Sequence, residues 1–166
     1  MKHTVTGKQP NSKMCAVCGL ENPGSMKAKF FNLENGEAAA LFTPREQHQG
    51  YPDRLHGGFA TAILDELIGR AVNTQGGEET WSVTAEIKVK FRKPVPLGRQ
   101  LKALGRITKN GGRVLEGTGE ILLEDGTVAV EAEARYMKVP FDTSAAGELF
   151  WNVIPEEDDP QEIELP

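Results

Sequence analysis

The chain has 166 residues, 39% of them hydrophobic and 26% charged, with a net charge of −5. That length supports one domain with a real core rather than two, and the composition is that of an ordinary globular protein. Six acids between Glu156 and Glu164 carry the negative charge. The nearly neutral remainder excludes the large basic footprint of a nucleic-acid protein. No apolar run is long enough for a membrane span, no signal-peptide apolar region is found, and two cysteines without one point to a reducing cytoplasm.

Residues 1–12 are polar and are expected to be mobile. Cys15-Ala-Val-Cys18-Gly19 follows, which is half of a zinc knuckle. A structural zinc wants four ligands and no second Cys pair exists, so the expectation is two small buried or free thiols and no metal. Two subunits pooling four thiolates is the alternative. No βαβ context follows, which argues against disulfide exchange. Residues 27–33 and 37–43 flank Asn35-Gly36 and read as a hairpin. Residues 43–54 form a loop with Pro44, Gly50 and Pro52, long enough to be a binding element.

Residues 55–73 are the only segment that reads as a long helix. Phe59, Ile63 and Leu67 recur every four residues, and alanines and aliphatics fill the other faces. Such a helix is buried by its surroundings. Glu66 has Arg70 four residues on, which explains it as a helical ion pair. Asp65 has only Thr61, Ala62, Ile68 and Gly69 at neighbouring helical positions. A carboxylate without a local cation on an apolar helix is either exposed, hydrogen-bonded internally, or kept for a site.

Residues 73–80 make a turn. Residues 81–91 then alternate, with Trp81, Val83, Ala85, Ile87, Val89 and Phe91 on one face and Ser82, Thr84, Glu86, Lys88 and Lys90 on the other. Pro94 and Pro96 end that strand. Residues 101–108, 113–123 and 128–139 are further strands, joined by turns at Asn110-Gly111-Gly112 and Asp125-Gly126. Gly117 and Gly119 let a sheet bend closely around a helix. Phe150 and Trp151 are expected to dock the segment 141–154, and the acidic end to be solvated. The fold class is α+β: one strongly curved antiparallel sheet wrapped around one central helix.

His56-Gly-Gly at the helix start, Asp65 nine residues on, and a strand running into Lys93-Pro-Val-Pro together resemble the hotdog-fold thioesterases of the phenylacetate-degradation type. The resemblance covers roughly residues 27–139. It implies hydrolysis of acyl-CoA thioesters by dimers or tetramers, with neither metal nor cofactor. Carried over by motif, Asp65 is the catalytic carboxylate, Gly57 the oxyanion donor, His56 a positioning group and Thr84 the hydroxyl near the carboxylate. An amide side chain found in some relatives six residues before the histidine is here Gly50, with Gln49 adjacent as a substitute. The expected organisation is an extension at 1–26, a hotdog domain at 27–140 and an acidic tail at 141–166.

Physical chemistry agrees with the motif. The first helical amides, Gly57 and Gly58, lack internal acceptors and lie at the positive helix end. Glycine there lets a carbonyl oxygen come close, so an oxyanion hole is possible; tight helix-to-sheet packing explains the glycines equally. His48 lies in the loop and is expected to line the pocket. Lys90 and Arg92, with Lys88 and Lys93, either meet the phosphates of coenzyme A or form a solvated strand face. His56 and Asp65 are nine residues apart, about 13 Å along a helix. One thioester carbon cannot touch both, so a shared site needs two subunits around a two-fold axis. A hotdog dehydratase using His56 and a non-catalytic acyl-CoA or lipid-binding module remain as alternatives. No Gly-x-Ser-x-Gly occurs, which disfavours a serine hydrolase.

Overall fold

The computed structural model describes residues 1–74, 80–140 and 153–166. Eight strands flank one helix: β1 Lys2–Lys8, β2 Lys29–Leu33, β3 Ala38–Phe42, α1 Gly57–Arg70, β4 Ser82–Phe91, β5 Leu101–Gly111, β6 Val114–Leu122, β7 Val128–Lys138 and β8 Glu162–Glu164. They form one antiparallel sheet in the order β4-β7-β6-β5-β3-β2-β1-β8. This is the α+β hotdog arrangement expected from the sequence. Among the described residues, no helix is long and apolar enough to cross a membrane.

Helix α1 lies on the concave face because its apolar residues leave no polar side to turn to water. Ile63, Leu64, Leu67 and Ile68 are all 0% exposed. The sheet meets them with small residues. A Cβ on Gly117 would stand 2.5 Å from Ile68 Cγ2, and one on Gly105 2.9 Å from Leu67 Cγ. The curvature foreseen from the glycines is therefore a close approach of helix to strands. The helix ends in a 3-10 turn, Ala71–Asn73. Thr80 N donates to Asn73 Oδ1 at 2.9 Å, closing the ends of the expected turn. The middle of that turn, and the segment with Phe150 and Trp151, lie outside the described residues.

Two expectations about the chain ends are corrected. Residues 2–8 are not a loose leader but strand β1, paired with β2 and β8. The acidic end is not solvated throughout. Ile163 and Leu165 are buried with Phe31, Leu33, Ala39, Leu104 and Leu122 in a second core on the other face of the sheet. Lys8 Nζ binds both Asp159 carboxylate oxygens at 2.8 Å, and Lys29 pairs with Glu156 and Asp158. The acids therefore find their cations within the fold, and alternating Ile163 and Leu165 supply apolar burial that net charge alone conceals.

Strand β4 carries an irregularity that alternation cannot reveal. Its ladder with β7 pairs Thr84 with Tyr136 and then Glu86 with Arg135, so Ala85 is an extra residue. A bulge of one residue reverses the facing of everything on one side of it. Beyond the bulge, Ile87 and Val89 pack on the core around α1 as foreseen. Before it, Thr84 shares their face, and Val83 is 52% exposed. The expected assignment of Thr84 to the polar face, with Val83 on the core side, is thus inverted.

Candidate active site

The bulge brings Thr84 to the helix. Its hydroxyl donates to Asp65 Oδ1 at 2.8 Å. Tyr136, opposite Thr84 in the ladder, places its phenol 2.8 Å from the Asp65 carbonyl oxygen and 3.2 Å from Oδ1. The carboxylate is half-buried and held by two hydroxyls, with no cation paired to it among the described residues. Tyr136 is 2% exposed. Burial and then the Asp65 charge push its phenol well above the ordinary range, while the Gly69 amide acts the other way; it stays a neutral donor. Gly69 makes the approach possible, since a Cβ there would lie 3.3 Å from the Tyr136 ring. Tyr136 was missed from sequence because it ends an inward row of small and aliphatic residues and looks like one more core position. A single hydroxyl-bearing ring in that row was the available signal.

At the other end of α1, His56 is the N-cap. Its Nδ1 accepts from the Gly58 amide at 2.9 Å. Gly58 is therefore satisfied, against the expectation that both glycine amides are open. The Gly57 N–H has no acceptor among the described residues. Gly57 lines an open cleft of about 660 Å³ together with His56, Tyr51, Arg54, Phe91 and Arg92. The Phe91 ring packs on Gly57, where a Cβ would come within 3.2 Å of it. Gly50 lies against His56 in the same way: a Cβ there would stand 3.2 Å from the His56 Cα, so a side chain at this position crowds the histidine. Tyr51, Arg54 and Phe91 were not singled out from sequence.

Three expected site residues lie elsewhere. His48 is 0% exposed, with Nδ1 accepting from the Arg45 amide at 3.0 Å, Nε2 3.0 Å from the Gly24 carbonyl, and its ring edge-on to Phe59. It fastens the loop to the N-terminal segment instead of lining a pocket. Gln49 is exposed and joins Leu55 through a backbone bridge, outside the cleft. Lys90 stands on the convex face beside Glu131, 3.4 Å away, outside the cleft. Arg92 lines the cleft, and also donates to Glu131 at 2.8 Å.

The structure thus groups Asp65 with Thr84, and Gly57 with His56 and Arg92. It does not bring the two groups together within one chain. Eight residues of one helix separate Gly57 from Asp65, about 12 Å. The two groups carry different parts of an acyl-transfer site: one has a carboxylate without an oxyanion donor, the other a free amide and the His56 imidazole without a carboxylate.

Residues 53–130 match the family model described as the thioesterase superfamily. Solved structures share the fold. A thioesterase superfamily protein is 29% identical, with 74% of this chain and 59% of that one covered and a TM-score of 0.67. This chain thus spans under two thirds of that protein. The E. coli PaaI protein of the phenylacetic acid degradation operon is 18% identical over 69% of this chain and 81% of its own, at a TM-score of 0.62. A Streptococcus mutans protein solved with acetyl-CoA bound is 17% identical over 63% and 82%, at 0.57. No curated protein matches the chain.

Proposed function

We propose that this chain is a thioesterase of the superfamily whose model it matches, and that it hydrolyses an acyl-CoA thioester to the free acid and coenzyme A at sites shared between two subunits. The observation that carries the reading is the division of one chemistry between the two ends of α1. Asp65 sits between Thr84 and Tyr136 at 2.8 and 3.2 Å. The open Gly57 amide sits in the cleft at the helix N-terminus.

Two copies with their helices antiparallel across a two-fold axis join these halves. The partner is expected along β4, which ends the sheet and has an open outer edge. Val83, Phe91 and Met137, on and beside β4, are 52, 57 and 39% exposed. In this arrangement Gly57 stabilises the oxyanion of the attacked carbonyl. Asp65 of the other subunit activates water or attacks directly. Thr84 and Tyr136 are positioning residues, because they hold the carboxylate rather than touch substrate. Arg92 at the cleft wall suits a phosphate of coenzyme A. His56 keeps the helix start in place through its cap, which leaves only Nε2 for substrate.

The test is thiol release from a panel of acyl-CoAs. Asp65→Asn keeps the shape of the carboxylate and is expected to lower kcat by about 10²–10⁴-fold. Full turnover in both Asp65→Asn and Asp65→Ala would reject the role. Mixed dimers of an Asp65→Ala chain with a chain disabled at Gly57 are expected to regain about a quarter to a half of the sites. No recovery in verified heterodimers would reject the shared site.

A further inference from the structure

The Cys-x-x-Cys segment folds onto α1 at Glu66 and Arg70. Cys15 Sγ lies 3.1 Å from Glu66 Oε2, and the donor atoms of Cys15, Cys18 and Glu66 all fall within 4.8 Å of one another. The segment is already shaped as a metal-binding knuckle. The amides of Val17 and Cys18 donate to Cys15 Sγ at 3.2 and 3.3 Å, and the Ser12 amide to Cys18 Sγ at 3.5 Å. Such donors stabilise thiolate charge. Gly19 closes the turn, its amide 2.8 Å from the Cys15 carbonyl, and a Cβ there would stand 2.4 Å from that oxygen.

The Glu66–Arg70 pair leaves this corner open. Arg70 Nε and Nη2 both bind Glu66 Oε1, at 3.0 and 2.7 Å, so Oε2 is turned to the thiol. Arg70 is fixed from behind by the Pro10 carbonyl at 2.8 Å and by the Phe30 ring at 4.2 Å. Its Nη2 also stands 3.4 Å from Cys18 Sγ.

We infer that Cys15, Cys18 and Glu66 form a zinc site that fastens the N-terminal segment to the middle of α1. Two thiolates and a carboxylate are a donor set that suits Zn²⁺. Donors around a tetrahedral zinc stand about 3.5–3.8 Å apart, given bonds of about 2.0–2.3 Å. The Cys15–Glu66 spacing of 3.1 Å opens slightly, and pairs spaced up to 4.8 Å close by about 1 Å, changes within reach of side-chain rotation. On binding, the ion replaces the two thiol protons, which pass to water. Two thiolates, the carboxylate, the Arg70 guanidinium and the divalent ion then sum to zero charge, so the buried corner holds the metal without an uncompensated charge. Cys15 is half-buried and the Glu66 side chain is 18% exposed, so water can take the fourth position.

The experiment is cobalt titration of the full, reduced chain, with zinc content measured on protein purified without chelator. About one zinc per chain and the charge-transfer bands of a two-thiolate cobalt site are expected. Glu66→Gln is expected to weaken cobalt binding by at least about 10–100-fold, the loss typical of removing even an outer partner of a ligand. Cys15→Ser with Cys18→Ser should abolish it. Should the double variant fail to fold, the titration of the unaltered chain and of Glu66→Gln decides. No thiolate–cobalt bands in the unaltered chain, or equal affinity in Glu66→Gln, would overturn the site. So would a Cys15–Cys18 disulfide recovered in place of metal. The readout is metal content, so its failure leaves the thioesterase proposal standing.

Discussion

Replacing Tyr136 by Phe removes one oxygen and keeps the ring that fills the core against Gly69. Tyr136 is 2% exposed, and the lost hydroxyl lies 2.8 Å from the Asp65 carbonyl and 3.2 Å from its carboxylate. A hydrogen bond to a neutral acceptor contributes about 0.5–1.5 kcal/mol, and one to a charged acceptor about 1.5–3 kcal/mol. One proton cannot serve both fully, so a loss of about 1–3 kcal/mol is expected near neutral pH. The effect depends on pH with a definite sign. The folded phenol is raised above its ordinary value of 10.0. Below that value both folded and unfolded chains keep the proton and the contribution is complete. Above it the unfolded chain loses its proton first, which favours unfolding by about 1.4 kcal/mol per pH unit. The gap between the original chain and Tyr136→Phe should therefore be constant up to about pH 9 and shrink by about 1.4 kcal/mol at pH 11. Urea unfolding at these pH values measures it. A variant as stable as the original at pH 7, or a gap unchanged at pH 11, would refute the claim that a buried neutral phenol supports Asp65.

Thr84→Val keeps the side-chain shape and removes the 2.8 Å donor to Asp65. Loss of a hydrogen bond to charge should lower kcat about 10–100-fold, with KM little changed; steady-state kinetics on the best acyl-CoA reads this. Gly117→Ala drives a methyl to within 2.5 Å of Ile68 Cγ2 and 2.6 Å of the Arg106 carbonyl. Overpacking of this kind costs about 1–3 kcal/mol or more, measurable by denaturant unfolding, and a neutral result would contradict the close helix–sheet contact. Leu165→Ala, in the second core, should lower stability by about 2 kcal/mol, the low end for such truncations because the site lies near a chain end. An unchanged midpoint in thermal unfolding would mean that β8 contributes nothing to the fold.

The sequence by itself determined the central architecture. Phe59, Ile63 and Leu67 at helical spacing, the turns at Asn35-Gly36 and Asp125-Gly126, and the alternation in β7 are local signals that the backbone obeys. The His-Gly-Gly start and Asp65 on the helix were legible for the same reason. What the tertiary structure decided depended on contacts between distant residues. The one-residue bulge at Ala85 turned Thr84 from the convex face to Asp65, and alternation cannot register an extra residue. Tyr136 reached Asp65 because β7 pairs with β4 in that register. His48 went from loop residue to buried fastener because Arg45 and Gly24 met its two nitrogens. Ile163 and Leu165 found an apolar face that a charge count hid. Glu66, fully explained along its own helix by Arg70, presented its second oxygen to a cysteine 51 positions away. Periodicity reports what a residue does within its own element, whereas a site is made where elements cross. That is why the fold was readable from the string and half of the candidate site was not.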